Sequence, residues 1–215
     1  MFSFGKKSLC DVCGISAAKT KVSDGSVCNS CFSECRYFLT PDEVINYKSL
    51  SISTLKDAYV NSKRSKGFEQ VFKGTKNIDN HFFIDNTNDL WAVIDNTYNE
   101  KKLIIFSFKD VESFELMQDD ESIITGGLGS AIAGGILFGE VGAIVGGIVG
   151  TKKIKKVINK FQIRVNLKDM RPYYINLLKG PGYGLSIKSG TNEYNKTINE
   201  AEKILEIFNA SCTNG

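Results

Sequence analysis

Two cysteine pairs, Cys10-Asp-Val-Cys13 and Cys28-Asn-Ser-Cys31, stand fourteen residues apart near the start of a 215-residue chain. Two Cys-x-x-Cys turns can offer four soft thiolates to one ion, and a tetrahedral zinc site asks for that set. The separation is one residue shorter than the usual two-knuckle spacing. A four-thiolate site has no open coordination position, so the chemistry it implies is structural rather than catalytic. Gly14 follows the first knuckle, where a tight turn favours positive φ. Ser23-Asp24-Gly25 reads as a hairpin turn between two short strands, Thr20–Val22 and Ser26–Val27. Cys35 lies close enough in sequence to compete as a ligand, whereas Cys212 reads as a lone thiol in a tail. The metal set expected here is Cys10, Cys13, Cys28 and Cys31, with Zn2+ as the ion.

Other chemistry has little to work with. The only histidine is His81, so neither a histidine-based triad nor a histidine-rich metal site is expected. No carboxylate pair stands at a motif spacing. The glycine-rich run ends without the Gly-Lys-Ser/Thr of a phosphate-cradling loop, and Lys-Gly-Pro-Gly-Tyr-Gly from Lys179 reads as a turn. The chain is therefore read as non-enzymatic. Its opening residues become charged too soon for a signal peptide, which suggests a cytoplasmic protein with reduced thiols. A net charge of +3 does not by itself point to nucleic acid. Lys6, Lys7, Lys19, Lys21 and Arg36 nevertheless make the cysteine module basic, so nucleic-acid binding through it stands as an alternative.

The elements that carry these residues follow from periodicity. Residues 1–39 form the zinc ribbon. Residues 40–66 read as a helical linker of one or two short helices from Pro41 to Lys63, with Thr40 as N-cap, Pro41 at the first helical position and a break over 65–67. From residue 67 the period becomes strand-like. About seven strands are expected: FEQVFKG, NHFFID, LWAVID, KKLIIFSF, VESFELMQ, KFQIRVNL and RPYYINLL. Trp91, Phe82, Phe83 and Phe106 read as core. An amphipathic helix follows, with Tyr194, Ile198, Ala201, Leu205 and Phe208 on its buried face. The fold class is mainly β (α+β). Its body, 67–210, is expected to be a seven-stranded barrel like that of pleckstrin-homology (PH) domains, closed by the C-terminal helix. Two packed sheets with a helix are the alternative.

Residues 126–150 carry one charge, Glu140, in twenty-five positions. Small residues recur at Gly127, Ala131, Gly135, Gly139, Ala143 and Gly147, the spacing of a close helix-packing face. The motifs AIAGGI and AIVGGI suggest two short helices with a turn at FGEVG, an insert spanning 122–156. A single span would place Glu140 near the bilayer centre and split the sheet across two compartments. A hairpin with arms of about 15–18 Å is too short to cross. Self-association or membrane contact remains, with Lys152, Lys153, Lys155 and Lys156 as candidate headgroup contacts facing Asp119, Asp120 and Glu121 at the base.

The chain resembles uncharacterised proteins of Gram-positive bacteria and their phages in which a small zinc ribbon precedes a PH-like body. CDVCG, DGSVCNSC, DLWAVID, DVESFELMQDDESI and the glycine-rich block carry this likeness. Glu140 departs from the small or neutral residue expected at that place. The resemblance implies the architecture and a structural zinc ion, with no reaction attached. The partners expected are copies of the chain, the membrane surface, or a protein.

Overall fold

The computed structural model describes residues 8–96, 98, 100–127, 157–178 and 185–213. The chain forms two compact units, Met1–Gly67 and Phe68–Gly215.

In the first unit, β1 (Thr20–Lys21) pairs antiparallel with β2 (Ser26–Val27). Helix α1 (Asn29–Cys35) begins directly at the second cysteine pair, with Cys28 as its N-cap. The second knuckle is thus the start of a helix. Helix α2 (Pro41–Ile45) opens as expected, with Pro41 in its first turn and a reciprocal capping box between Thr40 and Glu43. Helix α3 (Ile52–Phe68) then runs through the expected break at 65–67. Glu34 on α1 holds that last turn by accepting from Ser62 Oγ at 2.9 Å and Lys66 Nζ at 2.7 Å.

The second unit has two four-stranded antiparallel sheets. The first runs in the order β3 (Lys76–Ile78), β4 (Phe82–Asp85), β5 (Leu90–Asp95), β6 (Lys102–Ser107). The second has the order β11 (Tyr173–Asn176), β10 (Phe161–Leu167), β7 (Val111–Gln118), β8 (Glu121–Gly127). A short pair, β9 (Val157–Ile158) with β12 (Ile187–Lys188), completes the strands described. Among the described residues, the closed barrel expected from the strand pattern is not seen. A 3-10 turn over Phe108–Asp110 redirects the chain after β6, and β7 pairs with β8 and β10 instead. What is observed is two four-stranded antiparallel sheets and a C-terminal helix, with ring contacts between them.

Asx residues in the left-handed region close the turns: Asp79 and Asn80, Asp89, Asp119 and Asp120, and Asp169. Their short polar side chains tolerate that conformation better than other non-glycine residues do. Two expectations fail locally. FEQVFKG is not a strand: α3 ends at Phe68, and irregular chain lays Phe68 and Phe72 on a cluster of Leu90, Ala92 and Ile105. Phe83 joins that cluster, on the opposite sheet face from Phe82 and Trp91. Residues 122–127, expected to begin the glycine-rich insert, lie in β8.

Helix α4 (Asn192–Thr213) carries the expected buried face of Tyr194, Ile198, Ala201, Leu205 and Phe208. Cys212 also lies buried in this helix rather than in a free tail, and burial raises its thiol pKa. Phe208 meets rings from both sheets: Phe82 at 5.6 Å, Trp91 at 5.1 Å and Phe114 at 5.6 Å between centroids. Trp91 stacks on Phe106 at 4.5 Å. One aromatic core therefore joins the sheets to α4, and aromatic pairs add to simple area burial.

Candidate metal centre

The four expected cysteines converge. The Sγ atoms of Cys10, Cys13, Cys28 and Cys31 all lie within 4.8 Å of one another. Sulfurs around a zinc ion with 2.3 Å bonds would stand about 3.8 Å apart, so a small contraction closes the set. Three of the four are buried and Cys13 is half-buried.

Local backbone geometry builds each knuckle. Gly14 adopts φ +69°, and its N–H donates to the Cys10 carbonyl at 2.7 Å. The Cys10 N–H donates to Ser16 O at 2.8 Å, and Leu9 bridges Ala17, which closes the first knuckle. In the second knuckle the Cys31 N–H donates to Cys28 Sγ at 3.4 Å. Asp11, inside the first knuckle, ties the two together: Oδ2 accepts from Ser26 N at 2.7 Å, and its own N–H donates to Ser26 O at 2.9 Å. Asp11 is a positioning residue that spacing alone did not reveal. Its signal in the sequence is slight, an Asp after the first cysteine.

The electrostatics suit a cation. Backbone N–H groups, Ser16 first and then Ile15, bring the Cys13 thiol down to about 6. Burial pushes Cys31 far above the ordinary thiol range, and the neighbouring sulfurs of Cys28 and Cys13 push the same way. Four crowded thiols cannot all ionise alone, whereas a divalent ion favours the thiolates it coordinates. Cys35 stands outside the cluster. It is fully buried, donates to Leu55 O at 3.2 Å, and burial raises its pKa to about 12.

The glycine-rich positions fare differently. Gly127 lies in β8 opposite Ser113, so it belongs to no helix-packing face. A Cβ there would come within 2.8 Å of Glu112 O, and one at Gly126 within 2.6 Å of the Phe114 ring. These two glycines therefore serve sheet packing. Ala131, Gly135, Gly139, Ala143 and Gly147 lie outside the described residues, as do Glu140, the four lysines 152, 153, 155 and 156, and the turn from Lys179.

The strands expected on either side of the insert, VESFELMQ (β7) and KFQIRVNL (β10), are hydrogen-bonded neighbours. The strands that directly flank residues 128–156 are β8 and β9, which lie in different sheets. Gly127 is opposite Ser113, while Asp119 Oδ1 accepts from Asn159 N at 2.8 Å at the other end of β7. Asp120 pairs with Lys160 at 3.0 Å, a lysine outside the expected four.

A model of the family described as "Glycine zipper containing PH domain" matches residues 70–178, just over half of the chain. The chain belongs to this glycine zipper-containing PH domain family. The match spans both sheets and the glycine-rich stretch, and includes neither the cysteine module nor α4. No curated protein matches the chain, and no solved structure does. Among the described residues of this PH-family protein, no helix is long and apolar enough to cross a membrane.

Proposed function

We propose that this chain is a non-enzymatic interaction protein. In this reading Cys10, Cys13, Cys28 and Cys31 bind one structural zinc ion, the PH-like body is a scaffold, and the glycine zipper is the contact element. It mediates self-association or contact with a membrane surface, in the cytoplasm. The observation that carries the reading is the family match, which joins a glycine zipper to a PH body; in this chain aromatic contacts link both sheets of that body to α4. The converged thiols add a metal site of the closed, structural type. When bound, the ion supplies a fixed cross-link and no reactive position.

Nucleic-acid binding through the ribbon is the weaker reading. Lys19 and Lys21 are exposed on the ribbon. Residues 1–67 carry ten Lys and Arg against six Asp and Glu. A divalent ion with four thiolates removes two of those four excess positive charges, and phosphate binding depends on such excess.

Size measurement and liposome flotation test the proposal. The full chain should run as an assembly, or float with anionic vesicles, and Gly135→Leu should weaken whichever occurs. A detergent-free monomer that ignores vesicles would sink the interaction reading. Metal analysis should give one zinc per chain, lost in Cys28→Ser.

A further inference from the structure

The cysteine module and α3 share a series of specific contacts. Asp24, in the turn between β1 and β2, accepts from the Ile52 N–H at 2.7 Å, the first of α3. Ser23 donates twice to Leu50 O, from N at 2.9 Å and from Oγ at 2.7 Å. The same turn presses so closely on the helix that a Cβ on Gly25 would lie 2.7 Å from both Asp11 Oδ2 and Ile52 Cγ1. Further along, Cys35 Sγ donates to Leu55 O, and Glu34 takes Ser62 and Lys66. Cys35 and Glu34 sit on α1, the helix that starts at Cys28 and contains Cys31.

Without these contacts α3 has little to hold it. Its buried residues are Leu55, Ala58, Asn61, Ser62 and Ser65, only two of them apolar. A helix of seventeen residues is marginal alone in water, and Thr54, Val60, Asn61 and Gly67 are weak helix formers. The ribbon's strands are two residues long, and beside its cysteines the buried apolar side chains described in it are Val22, Val27, Tyr37 and Phe38. Such modules take their folding free energy from the metal.

We infer that occupancy of the four-cysteine site sets the order of α3 as well as of the ribbon, so that one ion controls the folding of residues 8–67. The second unit, with its own aromatic core, folds without it. The inference rests on reading the cysteines as a metal site.

Hydrogen exchange on the full chain tests it, with zinc measured in parallel on zinc-loaded and chelator-treated protein. Chelation should lower amide protection across 52–66 about a hundredfold or more, together with 10–31, and leave β5, β7 and α4 unchanged. Retained protection in α3 after measured zinc loss overturns the inference and leaves the metal site standing. A chain that neither carries nor takes up zinc overturns the metal reading itself. If the chelated chain precipitates, zinc-loaded Asp24→Ala decides: zinc content should hold while protection at 52–58 falls roughly tenfold. Unchanged protection there defeats the coupling.

Discussion

The imidazole Nδ1 of His81 lies 2.9 Å from Oε1 of Glu200, joining the start of β4 to α4. Both side chains are largely buried, Glu200 to 4% exposure. A buried carboxylate depends on its hydrogen bonds, because burial strips it of water. His81→Ala removes one of them and should destabilise the second unit by about 1–3 kcal/mol. Trp91 is the only tryptophan and sits in this core, so its fluorescence in a urea titration reads the change. An unchanged midpoint would mean the contact adds nothing.

Asp85 is a second buried carboxylate, and amide groups hold it. It accepts from Asn88 Nδ2 at 2.8 Å, Lys73 N at 2.7 Å, Thr87 N at 3.0 Å and Asn88 N at 3.1 Å. The Asn88 side chain leads in holding its pKa below the usual carboxylate value, against the opposing effect of burial. Its folded pKa is therefore lower than its unfolded one. The stabilisation is present above about pH 4 and is lost as pH falls toward the folded value. Asp85→Asn should lower the melting temperature at neutral pH, and the gap from the parent chain should narrow as pH drops below about 4. A gap that widens on acidification would reverse the assignment.

Phe208 makes ring contacts with four aromatic residues of the second unit, Phe108 among them at 6.0 Å. Phe208→Ala should cost about 3–5 kcal/mol through lost burial and the cavity left behind. The Trp91 emission should shift and the zinc content of the first unit should not. A loss under about 1 kcal/mol would show that the sheets close over the gap.

The parts of this molecule legible in the sequence are those specified by near neighbours. The cysteine spacing, the Thr40–Glu43 capping box and the stripe from Tyr194 to Phe208 each repeat a short-range rule, and each stands where expected. What misled was specified at a distance. Gly126 and Gly127 look like the start of a glycine zipper, yet Phe114 and the Glu112 backbone explain them. Phe68 and Phe72 look like strand residues, yet they cover Leu90 and Ile105, and Asp85 fixes the Lys73 amide beside them. Barrel closure likewise depends on pairings among distant strands, which periodicity does not encode.

Gly126 gives a test in which the two readings predict opposite signs. In a helix, Gly→Ala stabilises by up to about 1 kcal/mol. In β8 the new Cβ would meet the Phe114 ring at 2.6 Å. Gly126→Ala should therefore destabilise the second unit by about 1–3 kcal/mol through overpacking. Adding Phe114→Leu should recover part of the loss relative to Phe114→Leu alone, the coupling expected of touching residues. Additive effects would mean the ring and the glycine do not meet.

The last prediction concerns what the glycine stretch connects. Gly127 stands opposite Ser113 in β7, and Asn159 stands against Asp119, six residues further along the chain and just past the end of β7. That is about 20 Å of extended strand. A direct join of Gly127 to Val157 reaches only about 3.8 Å, so it should tear β8 or β9 from its partner and lower the melting temperature. A twelve-residue Gly/Ser linker in place of 128–156 spans the gap and should melt close to the parent chain. The linker variant should also lose self-association or vesicle binding, since it keeps the body and removes the zipper. If the direct join melts like the parent, the two ends are neighbours after all. If the linker variant still assembles or floats, the contact element lies elsewhere in the chain.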